Sequence, residues 1–156
     1  MATGGWDIRC LAGYPAPRDE SVLSARWRDE SLDYAQENAG RVPVVVAARV
    51  ARTFALYPSP RSQVAELSFY EGRPRALVWL ALAAYAAVVA LALAGIVALS
   101  PQWGLIAIML APVVLVVVTS ALGYGTWRFR QAAEVALLAL AGVAAARLAG
   151  RRVRRA

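Results

Sequence analysis

The sequence has no lysine and no histidine, a single cysteine, and only one acidic residue beyond Glu71. Without histidine there is neither a Ser/His/Asp triad nor a histidine-ligated metal. Cys10 alone forms no internal disulfide and assembles no thiolate zinc site. The residues therefore predict no catalytic constellation, no metal site and no cofactor. What charge there is comes from 17 arginines against 10 acids, a net +7. Residues 1–75 hold ten arginines and nine acids, whereas residues 76–156 hold seven arginines and one acid. The basic excess thus belongs to the more apolar half. That placement argues against nucleic acid as a partner, because duplex binding needs its charge on an exposed groove-facing surface. At 60% hydrophobic residues the composition suits a membrane protein.

Three uncharged or nearly uncharged runs predict an all-α membrane protein with three transmembrane helices. Residues 76–100 carry no charge and extend about 37 Å as a helix, enough to cross a hydrocarbon core of roughly 30 Å. Within this run Ala86, Ala90, Ala94 and Ala98 form a small-residue ladder that lets another helix approach closely. Pro101 fits a first helical position, and residues 102–124 form a second charge-free span. Pro112 inside it is expected to kink it and to free the Ile108 carbonyl. A third, shorter span is predicted over 132–149, with Glu134 at one rim and Arg147 snorkelling at the other.

Residues 1–75 are different in kind. Asp19 to Asn38 reads as a charge-laced helix with Leu23, Trp27 and Tyr34 on one face, an Arg26–Glu30 pair, and Gly40 marking its end. Pro43 opens a second helix over 43–57, with Val46, Val50 and Phe54 on one side and Arg49 and Arg52 on the other. Its amphipathic character and its nearness to a span fit either a helix lying in the membrane interface or one packed on its own small domain. The first 40 residues hold too few aliphatic side chains for an independent core, and Gly13, Pro15 and Pro17 interrupt regular structure.

Three spans put residues 1–75 and the loop 125–131 on one side, and the turn at 100–102 with the tail on the other. The tail carries Arg147, Arg151, Arg152, Arg154 and Arg155 without an acid, so the positive-inside rule places residues 151–156 in the cytoplasm of a multi-pass cell-membrane protein. The helical segment 1–75 is then extracytoplasmic. No apolar stretch in "MATGGWDIRC" resembles a signal peptide that would lead it across. The expectation is that further spans precede this chain in a longer membrane protein.

The stretches "GGWDIRC", "YAQENAGRVPVVVAARVARTFALY", "EGRP" and "YGTWRFRQAAE" occur in the same order, at natural spacing, as in the C-terminal part of actinobacterial multispan membrane glycosyltransferases. Nearly the whole chain resembles that part of the family, whose wider relatives are the protein O-mannosyltransferases and aminoarabinose transferases. The chain departs from the pattern at Val135, where relatives often have proline. The resemblance implies transfer of a sugar from a polyprenyl-phosphate donor to an extracytoplasmic acceptor, assisted by an acidic residue in the family's first outer loop. That loop lies upstream of the part resembled here, so the chain is expected to be inactive alone and to need further transmembrane helices. Asp7 belongs to a later outer segment and is not promoted to catalytic base.

Seen with that resemblance, "GYGTWRFRQAAEV" becomes the candidate substrate site: Tyr124, Trp127, Arg128, Arg130 and Glu134. Such a donor leaves as a phosphate monoester, which an arginine fork holds through two bonds while staying charged. Gly123 and Gly125 allow a tight turn, and Trp127 and Phe129 suit the headgroup belt. Arg128 is expected at phosphate and Arg130 at Glu134. The competing reading of the loop is an ordinary interfacial anchor of Arg and Trp. At the level of the whole chain, the alternative to a transferase fragment is a non-enzymatic accessory or scaffold subunit whose partners are membrane lipid and other helices.

Overall fold

The computed structural model describes residues 19–153; Asp7, Cys10 and the end of the basic tail lie outside the described residues. Every regular element among the described residues is helical: α1 (Glu20–Glu37), α2 (Val42–Thr53), α3 (Pro60–Glu71), α4 (Arg75–Leu99), α5 (Trp103–Leu122) and α6 (Gln131–Val153), with a short 3-10 turn at Ala39–Arg41. The chain is therefore all-α. Three of its helices, Arg75–Leu99, Trp103–Leu122 and Gln131–Gly150, are long and apolar enough to cross a membrane.

Helix ends follow local chemistry. The Asp19 carboxylate accepts the Ser21 N–H at 2.9 Å and opens α1, and the expected Arg26–Glu30 pair forms at 2.8 Å. No α1 residue is buried, so Leu23, Trp27 and Tyr34 have only a loose face to share. Helix α3 was not anticipated. Its start is set by Ser59 and Pro60 and its end by Gly72, which adopts the left-handed conformation (φ 63°) that suits glycine after a helix. Helix α6 runs to Val153, past the expected end at 149. Helix α5 continues through Pro112 to Leu122.

The core is a seam between α4, α5 and α6, built on Ala92, Leu99, Ile106 and Leu140, with Ile96, Met109 and Leu137 packed against it. Where α4 meets α6, Gly95 lies directly on the Leu140 backbone, and a Cβ there would collide with the Leu140 carbonyl. Ala133, Ala136, Ala141 and Ala144 keep the facing side of α6 equally thin. The expected ladder is not the face used within the chain: Ala86, Ala90 and Ala94 are exposed, and the contact with α6 uses Ala92, Gly95 and Leu99 on roughly the opposite face of α4. At most 28% of any candidate span is buried inside the protein, and Leu80, Val97, Ile108 and Leu115 point outward. An apolar surface that continuous requires lipid or other helices around it.

Helix α2 is held to the bundle. It packs on the C-terminal end of α5, where the hydroxyls of Thr53 and Ser120, both fully buried, lie 2.9 Å apart with Thr53 donating. Both sides of the helix are half-buried, Val46, Val50 and Phe54 on one and Arg49 and Arg52 on the other. Arg49 Nη1 donates to the Ala121 carbonyl at 3.3 Å, capping α5, and Arg52 Nη1 donates to both Glu66 oxygens of α3 at 3.0 and 2.9 Å. The acceptors come from remote segments and draw the arginine side of α2 inward as well.

Candidate functional site

Helices α4 and α6 begin, and α5 stops, at the same end of the bundle, and α2 and α3 lie across it. A cavity of about 720 Å³ opens there. Among its walls are Trp127, Arg128, Arg130 and Glu134, together with Glu71 and Arg73. Four of the five expected site residues are therefore brought together. Tyr124 is the exception: its ring packs on Phe129 with centroids 5.2 Å apart and lines a neighbouring cavity of about 440 Å³ that also reaches Arg128.

The two arginines of the loop have separate fates, and the expected pairing of Arg130 with Glu134 forms. Arg130 Nε donates to Glu134 Oε1 at 2.7 Å, and the guanidinium carbon lies 4.1 Å from the centroid of the Tyr85 ring. Its side chain is 16% exposed. This arginine ties the first turn of α6 to α4. Arg128 is 72% exposed, and its nearest carboxylate oxygen, Oε1 of Glu71, is 3.7 Å away. At that separation it is a loose ion pair.

The loop is shaped by a close approach as much as by a turn. Gly125 is buried against the backbone of Arg49, and a Cβ at this position would run into the Arg49 carbonyl. Trp127 is also more than a headgroup anchor, because its indole N–H donates to Glu71 Oε1 at 3.1 Å.

Glu71, in "EGRP", was not among the expected binding residues, although with Asp7 it is the first acid to test should the isolated chain show turnover. It ends α3, and its side chain is only 14% exposed. Trp127 and Arg128 approach Oε1, while Arg73 Nε lies 2.8 Å from Oε2. That last contact is close but misaligned, so the solvent-shielded Oε2 has no hydrogen bond. The signal for Glu71 was its position just before a helix-ending glycine and the arginines Arg73 and Arg75 that lead into a span; the identity of its partners depends on a loop more than fifty residues further on.

A second cluster closes the far wall. Besides the Arg52–Glu66 fork, Gln63 Nε2 donates to the Ala55 and Pro58 carbonyls at 2.9 and 2.7 Å and holds the turn between α2 and α3. No grouping of three or more metal-ligating side chains occurs among the described residues. The arrangement offers guanidinium and indole donors at the mouth of a chamber at the end of a membrane-type bundle, which is chemistry for holding an anion. Comparison with protein-family models, curated proteins and solved structures finds no match for this chain.

Proposed function

We propose that this chain is the C-terminal part of a membrane glycosyltransferase that uses a polyprenyl-phosphate sugar, and that Arg128 holds the donor's phosphate. The observation that carries the reading is the state of Arg128: a largely exposed guanidinium at the rim of a cavity at the end of three apolar helices, with only a loose internal partner. A lipid-linked phosphate sits at just this level, with its chain among the helices and its charge at the boundary. The acceptor oxygen attacks the sugar's anomeric carbon as the bond to phosphate breaks. The polyprenyl phosphate leaves with the electron pair, and the acceptor proton passes to the acidic residue of the family's first outer loop. Arg128 stabilises the leaving anion, and the transfer step itself needs the upstream part of the enzyme.

The test uses a full-length relative carrying this C-terminal part. Arg128→Lys keeps the charge but loses the fork, so donor use falls substantially, by about tenfold or more. Unchanged donor KM and kcat in Arg128→Lys and Arg128→Ala, with normal insertion, would return the loop to the anchor reading. The reading also places residues 1–75 outside the cell membrane and the tail in the cytoplasm. Cys10, as the only thiol, then reacts with a membrane-impermeant maleimide in intact cells; labelling that requires permeabilisation overturns the orientation.

A second reading, an accessory subunit that lends its spans to a partner, is favoured by one observation. The outward ladder Ala86, Ala90, Ala94 remains uncovered by this chain's own helices. Crosslinking in native membranes separates the two, since the first places the chain within a transferase polypeptide and the second beside a distinct protein.

A further inference from the structure

Three donors from two places in the sequence converge on one carboxylate. The Trp127 N–H and Arg128 come from the α5–α6 loop, and Arg73 comes from the link between α3 and α4. All of them line the 720 Å³ cavity. A single carboxylate satisfies this set poorly. Arg128 stays at 3.7 Å, Arg73 is near but misaligned, and Oε2 is shielded from solvent without a hydrogen bond. A planar monoanion reaching in from the end of α3 presents two oxygens along one edge. A phosphate monoester presents three oxygens in a tetrahedral spread and carries nearly two charges, which matches donors arriving from different directions.

We infer that Glu71 is a resident stand-in for a phosphate monoester, and that the ligand displaces its carboxylate and takes over Arg73, Arg128 and the Trp127 N–H. Arg73 is thereby a second phosphate-binding arginine, and Glu71 sets a threshold against weaker anions. This rests on the reading of the cavity as a phosphate site and deepens it. The competition is electrostatic: Glu71 offsets one of the two guanidinium charges while the site is empty, so an incoming anion gains only the difference between its own bonds and those that Glu71 gives up. A carboxylate, or a phosphodiester such as the intact donor, carries one charge and gains less, so the site favours the charge that develops on the leaving phosphate. A monoester dianion gains more.

The experiment uses the full chain in nanodiscs of zwitterionic lipid, with three probes: a long-chain alkyl phosphate, inorganic phosphate and a phosphodiester lipid. The expected order is tight binding of the alkyl phosphate and weak binding of the diester. Glu71→Gln is isosteric and keeps an acceptor for Trp127, and it binds alkyl phosphate about tenfold more tightly than the parent chain. Glu71→Asp withdraws the carboxylate by one methylene and also binds more tightly, so a folding defect in one variant leaves the comparison standing on the other. Arg73→Ala and Arg128→Ala each lose about tenfold, whereas Arg75→Ala, exposed at the start of α4, changes affinity by about twofold or less. Inorganic phosphate following the same pattern would assign the site to the free anion and still support the stand-in. Loss in Arg128→Ala without a gain in either Glu71 variant overturns the stand-in but leaves the phosphate site. Equal losses in Arg75→Ala and Arg73→Ala overturn it in favour of general surface charge. Absence of phosphate binding in every variant removes both readings.

Discussion

Arg130 donates to Glu134 at 2.7 Å across one turn at the start of α6, and the same guanidinium covers the Tyr85 ring of α4. The pair fastens two spans at the rim, so it has a structural role that Arg128, two residues earlier, does not share. Arg130→Ala is expected to lower the thermal midpoint of the chain in detergent, and Arg128→Ala to leave it nearly unchanged. The ion pair itself contributes about 0.3–0.5 kcal/mol, because Glu134 remains partly exposed, and the ring contact roughly 0.5–1 kcal/mol more. Equal midpoints for the two variants would remove the distinction between them.

Thr53 and Ser120 make the contact that locks α2 onto the bundle. Both are 0% exposed, so Thr53→Val keeps the shape but strands a buried hydroxyl. The expected loss is about 1–3 kcal/mol by denaturant titration. Adding Ser120→Ala removes the stranded group and recovers part of it. A double variant no more stable than Thr53→Val would mean that the two hydroxyls do not act as a pair.

The spans were legible from sequence because a charge-free run of sufficient length has few other stable uses, and their ends fell within a few residues of those observed. Asp19 was legible as a boundary for the same local reason that it caps α1. Helix α3 was missed although Ser59, Pro60 and Gly72 bracket it, since its polar and apolar residues show no clean period. The inward turn of Arg49 and Arg52 was illegible. Periodicity ranks faces by apolarity, whereas their direction is set by an α5 carbonyl and an α3 carboxylate supplied from elsewhere in the chain. Of the site, Arg130 and Glu134 were readable at i,i+4 spacing. Glu71 and Tyr85 enter only through tertiary contacts.

Asp19 gives α1 a dependence on acid. Its carboxyl accepts the Ser21 hydroxyl at 2.7 Å and the Ser21 N–H at 2.9 Å, bonds that hold it below the ordinary aspartate value. A depressed folded value means that the cap stabilises α1 above the unfolded value and is lost as pH falls through the folded one. A carboxyl-carbon NMR titration of Asp19 is expected to give a midpoint under 3.8, with the first turn of α1 fraying over the same interval. A midpoint at or above that value would show that the side chain does not cap the helix in solution.

Neighbouring positions in α4 face opposite surroundings, and this separates packing between the chain's own helices from the outward ladder. Gly95 touches the Leu140 backbone, so even Gly95→Ala must push α4 and α6 apart, at about 1–3 kcal/mol, and Gly95→Val costs more. Ala94 is exposed to the bundle's surroundings, so Ala94→Leu is expected to change the stability of the isolated chain by about 0.5 kcal/mol or less. The same Ala94→Leu substitution would break a close helix contact if Ala86, Ala90 and Ala94 meet another helix in the native membrane. Stability in detergent and crosslinking in membranes are therefore to be measured on the same variants. Gly95→Ala failing in both would place its defect inside the chain. Ala94→Leu, stable when purified yet no longer crosslinking, would place its defect at a partner, and intact crosslinking would show that the ladder meets only lipid.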